Sequence, residues 1–192
     1  MKWIKRNQHW LILVALIAIA VVCFDQCNEY KEHSQDTHIL AAAKRYGMSP
    51  SLIKAVVWRE SRFNPTVYGR AKEVGLMQIR DAAANEWAKA EGISYFSQSD
   101  LYDPAKNTMA GTWYLRKLMR RYTSTDNPAA FALADYNAGR THVLRWNKGA
   151  AATNSSLFLK QIDFPGTRDY VQAILKREPK YRKQFAAAQE KD

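Results

Sequence analysis

The residue with the clearest chemical potential is a carboxylate set among apolar side chains. Ile53, Val56, Val57 and Glu60 fall at i, i+3, i+4 and i+7, so Glu60 completes an otherwise apolar helical stripe. Burial disfavours the charged form of a carboxyl, so such a group keeps its proton at neutral pH. A protonated carboxyl in an apolar setting is what cleavage of a glycosidic bond needs, because the leaving oxygen must receive a proton. The same spacing also fits a glutamate near a helix end that turns outward or pairs with Arg59 or Arg62.

Other residues narrow the chemistry further. Gln78 is a polar residue inside the apolar run Leu76 to Ile79 and requires a partner, in a turn or in a ligand. Tyr136-Asn137 precede Gly139, and glycines at 75 and 139 allow close backbone approach or a positive φ. The two cysteines, Cys23 and Cys27, lie near the N-terminus, so thiol chemistry and cysteine-based zinc sites are excluded from the body of the chain. The four histidines (His9, His33, His38 and His142) are scattered, with three of them before residue 49. Neither a metal nor an organic cofactor is expected.

These residues must be positioned by helices, since no period-2 strand pattern is present. A first core helix is expected over Thr37–Tyr46, stopped by Gly47. A second is expected from the cap Ser49 and from Pro50 through Phe63, stopped by Asn64-Pro65. The turn-rich stretch Val67–Val74 suits a small irregular β element. Asp81, Asp103-Pro104 and Asn127-Pro128 open further helices, ending near Gly92, Tyr122 and Ala138, and a short one follows over Arg140–Asn147. The last helix is read over Thr167 to about Gln189, punctuated by Pro179.

Five blocks in order resemble the lysozyme-like lytic transglycosylase (SLT-type) domain. They are Glu60-Ser61; Gly75-Leu76-Met77-Gln78-Ile79; Asn107 with Gly111, Trp113-Tyr114-Leu115 and Leu118; Tyr136-Asn137-Ala138-Gly139; and Phe164-Pro165 with Thr167-Arg168 and Tyr170-Val171. The resemblance covers about residues 37–178 and implies a mainly α, lysozyme-like single domain with a small irregular β/loop element. It further implies that Glu60 is the sole acid and base, acting on peptidoglycan glycan strands. Gln78 and Met77 would line the groove, Tyr136 and Asn137 would close the opposite wall, and Tyr170 would support the site, as would Ser61 and Arg168. The sequence departs from the family pattern where Gly69 stands for a frequent serine and Gly166 for a frequent glutamate, while Asp135 replaces a small residue. Arg70, Glu73 and Asp135 are the nearby polar residues able to substitute. The implied product is a 1,6-anhydro sugar. A hydrolytic muramidase using Asp135 or Asp163 as base and a wall-binding scaffold without activity are the competing readings.

The chain of 192 residues suffices for one such domain, expected over residues 37–192, plus an appendage. Lys2, Lys5 and Arg6 precede an uncharged apolar run from Trp10 to Phe24, and residues 25–36 read as a polar linker. The run is short for a span of about 20 residues. It fits a secretory signal, with Ala18-Ile19-Ala20 as a small-x-small site, or an anchor extended by Trp3 and Ile4. Either reading exports the body, to the periplasm or beyond, with association to the inner membrane if the segment stays. The formal charge of +11 falls to +8 without the three bases of residues 1–24, which favours an anionic polymer. Outside a bacterium that polymer is the cell wall. Nucleic acid is not expected, since no finger spacing or recognition-helix pattern occurs. A monomer is expected, with a cell-wall or secretion complex as its director.

Overall fold

In the computed structural model the described residues run from 2 to 189, and they divide into two units between Gln35 and Asp36. The first unit is a single helix, α1 (Lys2–His33), whose side chains from Trp10 to Phe24 are all exposed. Among the described residues it is the one helix long and apolar enough to cross a membrane, a test that a signal sequence also passes. The stretch expected as a polar linker is helical as far as His33. It contains no glycine or proline, and Gln26, Glu29, Lys31 and Glu32 all favour helix, so nothing breaks the ladder there.

The second unit is built from helices with two isolated bridges, Tyr68 to Val74 and Val74 to Ile79, in the expected irregular β element. Helix α2 (Asp36–Tyr46) ends at Gly47, which takes φ 61°. Helix α3 (Pro50–Ser61) starts where Ser49 Oγ accepts from the Leu52 N–H at 3.4 Å and Pro50 occupies the first turn. It stops two residues earlier than the sequence suggests, because Arg62 and Phe63 both adopt the left-handed region, at φ 53° and 63°. Helices α4 (Asp81–Ala90), α5 (Pro104–Met119), α6 (Pro128–Ala138) and α7 (Arg140–Trp146) begin where expected; Pro104 and Pro128 open α5 and α6 and Asp103 caps α5, whereas Asp81 lies inside α4 and Asn127 makes no side-chain cap bond. Helix α8 (Ser155–Gln161) was not expected. Asn154 caps it and Phe158 stacks on Phe131 at 4.1 Å. Helix α9 (Pro165–Gln189) passes through Pro179 without ending.

Helix α3 packs most extensively on α9, α2 lies against α3 and α5, and α6 touches both α5 and α9. The contact of α3 with α9 holds a fully buried lysine. Lys54 Nζ lies 2.6 and 2.8 Å from the two carboxylate oxygens of Asp36 and 5.1 Å from the ring centres of Tyr181 and Phe185. The anion and the two ring faces replace water around its charge. Replacing Asp36 by Asn should lower stability by about 3 kcal/mol, read as a fall in the urea midpoint of the full-length chain in mild detergent. Replacing Lys54 by Met as well should recover much of that loss.

Candidate active site

Glu60 sits in the last turn of α3, the negative end of the helix dipole, with its carboxyl partly buried. Tyr170 of α9 donates its hydroxyl to Glu60 Oε1 at 2.6 Å. Burial pushes the Glu60 carboxyl up to about 7, and the Tyr170 hydroxyl and the Arg59 charge pull it back only in part, while Glu73 adds to the rise. The protonated form is therefore well populated at neutral pH. Tyr170 and Tyr136 are both held neutral, first by burial and then by the nearby Glu60 carboxylate. Ser61 returns its hydroxyl to the Val57 carbonyl at 3.1 Å, satisfying a carbonyl in the last turn of α3.

The second wall is the loop from Val67 to Ile79, and a buried asparagine sets its shape. Asn107 of α5 donates to the carbonyls of Val74 and Leu101, both at 2.8 Å, and accepts from the Met77 N–H at 2.8 Å. Gly75 must be glycine twice over. Its φ is 76°, and a Cβ there would lie 2.2 Å from Asn107 Nδ2 and 2.5 Å from the Leu101 carbonyl oxygen. The turn then throws Gln78 into the left-handed region at φ 47°. Its amide N–H2 donates to the Gly75 and Val67 carbonyls at 2.9 and 3.1 Å, so Oε1 is what it can offer to a ligand.

The sequence reading of Met77 needs correction. Met77 is fully buried and does not line the groove; a Cβ on Gly111 would lie 2.5 Å from its sulfur, so α5 is notched to receive it. Only its backbone serves the cleft, through the carbonyl that accepts from Tyr136 Oη at 2.7 Å.

The far wall comes from the C-terminal end of α6. Tyr136 packs on Tyr114 of α5, and Asn137 Oδ1 accepts from Thr167 Oγ1 at 2.8 Å, which leaves the Asn137 amide N–H2 for a ligand. Arg168 donates to the Ile162 carbonyl and so ties the start of α9 to the chain before it. Asp135 is almost completely buried, and its Oδ2 accepts from Tyr122 Oη at 2.7 Å and Arg121 Nη1 at 3.0 Å, so it braces α6. Asp163 is exposed and holds Arg145 and the Trp146 indole, away from the residues that line the cleft.

Together Glu60, Gln78, Tyr136 and Asn137 border a cleft of about 410 Å³. Glu73 and Arg80, paired at 2.9 Å, also line it, as does Tyr114. Arg80 was missed in the sequence because a loop pair carries no periodic signal. The cleft can present a proton donor at Glu60, an acceptor at Gln78 and donors at Asn137 to a polar chain laid across it.

The helical scaffold and this cleft define a lysozyme-like domain. Residues 37–159 match the Transglycosylase SLT domain, and the chain belongs to that family. It is 30% identical over 178 residues to the soluble lytic murein transglycosylase of Salmonella typhimurium, covering 92% of this chain and 27% of the relative. It is 38% identical over 148 residues to membrane-bound lytic murein transglycosylase C of Klebsiella pneumoniae, covering 74% of this chain and 41% of the relative. The chain thus spans well under half the length of these curated relatives. Among solved structures, the 70 kDa soluble lytic transglycosylase of Escherichia coli superposes with a TM-score of 0.73 at 28% identity, covering 96% of this chain and 29% of that one. The lytic transglycosylase of Pseudomonas aeruginosa, solved as an inactive glutamate-to-glutamine mutant, gives 0.72 at 28% identity, covering 79% of this chain and 24% of that one.

The raised position of Glu60 has a consequence for stability. The folded chain holds this proton more tightly than the unfolded chain, so stability falls as pH rises from 4.5 to about 7 and is then level. Glu60→Gln removes the effect. It should stabilise the fold by up to about 3 kcal/mol at about pH 8, and the gain should vanish below about pH 4, as thermal unfolding at the two pH values will show.

Proposed function

We propose that this chain is a peptidoglycan lytic transglycosylase that cuts the β-1,4 bond between N-acetylmuramic acid and N-acetylglucosamine. The observation that carries this reading is the partly buried Glu60 carboxyl, held near neutral in its titration and facing the cleft. Glu60 gives its proton to the glycosidic oxygen as the bond to C1 breaks. The muramic acetamido oxygen stabilises the positive charge that develops at C1. The ionised Glu60 then takes the proton of the same sugar's C6 hydroxyl while that oxygen closes on C1, which gives a 1,6-anhydro sugar and returns Glu60 to its starting form. One carboxyl thus serves both steps, unlike the two-carboxylate arrangement of most glycosidases.

In this scheme Gln78 Oε1 accepts from the acetamido N–H and turns its carbonyl toward C1, and the Asn137 amide donates to sugar hydroxyls on the other wall. A water-activating base is the requirement of the muramidase reading. Asp135 is occupied by Tyr122 and Arg121, and Asp163 is engaged by Arg145 and Trp146, so neither suits that task. The basic surface favours the anionic wall, and α1 serves as the signal or anchor that places the domain outside the inner membrane.

Mass spectrometry of peptidoglycan digested by the full-length chain is the test. Muropeptides ending in 1,6-anhydromuramic acid are expected, and their yield should drop by about 10²- to 10⁴-fold with Glu60→Gln. Reducing-end muramic acid would make the enzyme a muramidase, and intact wall would overturn the catalytic reading.

A further inference from the structure

Gly69 is a glycine for a reason other than its backbone angle. A Cβ at this position would lie 2.4 Å from Glu73 Oε2, 2.8 Å from Gln78 Oε1 and 3.1 Å from Glu73 Cβ. The Glu73 carboxylate therefore rests against the Cα of residue 69, in space that a side chain would fill. It is fixed there on several sides. The Ala71 N–H donates to Oε2 at 2.9 Å, and Arg80 donates to Oε1 through Nε at 3.1 Å and Nη2 at 2.9 Å. The Gly69 N–H closes the turn onto the Glu73 carbonyl at 2.7 Å.

The same carboxylate lines the cleft beside Gln78 and in company with Glu60. The two carboxyls are driven apart in their titration. Burial raises both, but at Glu73 the hydrogen bonds from its own backbone, Arg80 and Ala71 prevail and hold it below the usual glutamate range. Glu73 is thus ionised under conditions in which Glu60 keeps its proton. Of the other groups facing Glu60, Tyr170 and Tyr136 are neutral and Arg59 is the cation of its own helix. Arg80 is engaged by Glu73, and Asp135 by Arg121 and Tyr122.

We propose that Glu73 is a positioning residue for Glu60: a carboxylate admitted by Gly69 and anchored by Arg80, whose negative charge in the shared cleft adds to the burial that keeps Glu60 in its proton-donating form. The inference rests on Glu60 being the acid of the cleft, but its physical content can be measured without turnover. Two like charges sharing a cleft disfavour each other's ionisation, so removing the fixed one eases the ionisation of the other.

The experiment is a titration of the Glu60 carboxyl carbon by NMR in the full-length chain in detergent, assigned with Glu60→Gln. Glu73→Gln keeps the shape and removes the charge. Gly69→Ala keeps Glu73 but forces its carboxylate out of the slot, since the two nearest atoms met are ends of flexible side chains. Both variants should lower the Glu60 midpoint by about half a unit, and the basic limb of kcat/KM on peptidoglycan should move down with it. An unshifted Glu60 in Glu73→Gln would overturn the proposal, and a shift there without one in Gly69→Ala would overturn the part assigned to Gly69. If wild type leaves peptidoglycan uncut while the titration shifts, the catalytic reading fails and the coupling stands.

Discussion

The structure turns on the removal of one carboxyl from water. Glu60 could be placed at a helix surface at no cost, yet α3 carries it in its last turn, where the helix dipole and the packed walls both oppose its charge. Holding a proton there requires an apolar stripe beneath it and packed walls around it, while a neutral phenol orients the carboxyl and opposes the rise only in part. Ile53, Val56 and Val57 are completely buried beneath it, Tyr170 supplies the phenol, and Tyr136 closes the wall. The pairing of α3 with α9 is thus a device for bringing the orienting hydroxyl from 110 residues away.

The opposing loop has no sheet to stiffen it, and its rigidity is imported from α5. Asn107 satisfies three backbone groups of the loop and its neighbour at once, in a fully buried position where any unmet partner would be costly. Met77 fills the notch at Gly111 from the other side. The loop is therefore clamped between a polar pin and an apolar plug, and Gln78 is presented by geometry that neither residue reveals alone.

Much of this was legible in the sequence where the physics is local. Helix starts at Pro50, Pro104 and Pro128 were readable because caps and prolines act within one turn. Glu60 stood out because a period of 3.6 fixes which residues share a face. Met77 was misassigned because adjacency to Gln78 in a motif says nothing about which side of a turn each residue faces. Helix α8 buries a single side chain, Phe158, and so carries no apolar stripe to read, and residues 25–33 read as a linker through polarity alone, although nothing in them breaks a helix. Asp135 had no account in sequence, since its partners Arg121 and Tyr122 reach it from the turn after α5. The sequence offers Glu73 only as one of three candidates beside Gly69, because its placement depends on the absence of an atom there.

Gln78 marks a place where two demands on the chain diverge. A non-glycine residue in the left-handed region bears about 1 kcal/mol of backbone strain, and glycine would relieve it. Glycine would also erase the amide that faces the cleft and take the side-chain donor from the Val67 and Gly75 carbonyls, which would keep only the backbone N–H groups of residues 75 and 78. Lineages under pressure for thermal robustness alone would drift toward glycine or asparagine at this position, whereas those under pressure on the cleft would keep the amide and bear the strain. The residue found there is thus a record of which pressure has prevailed.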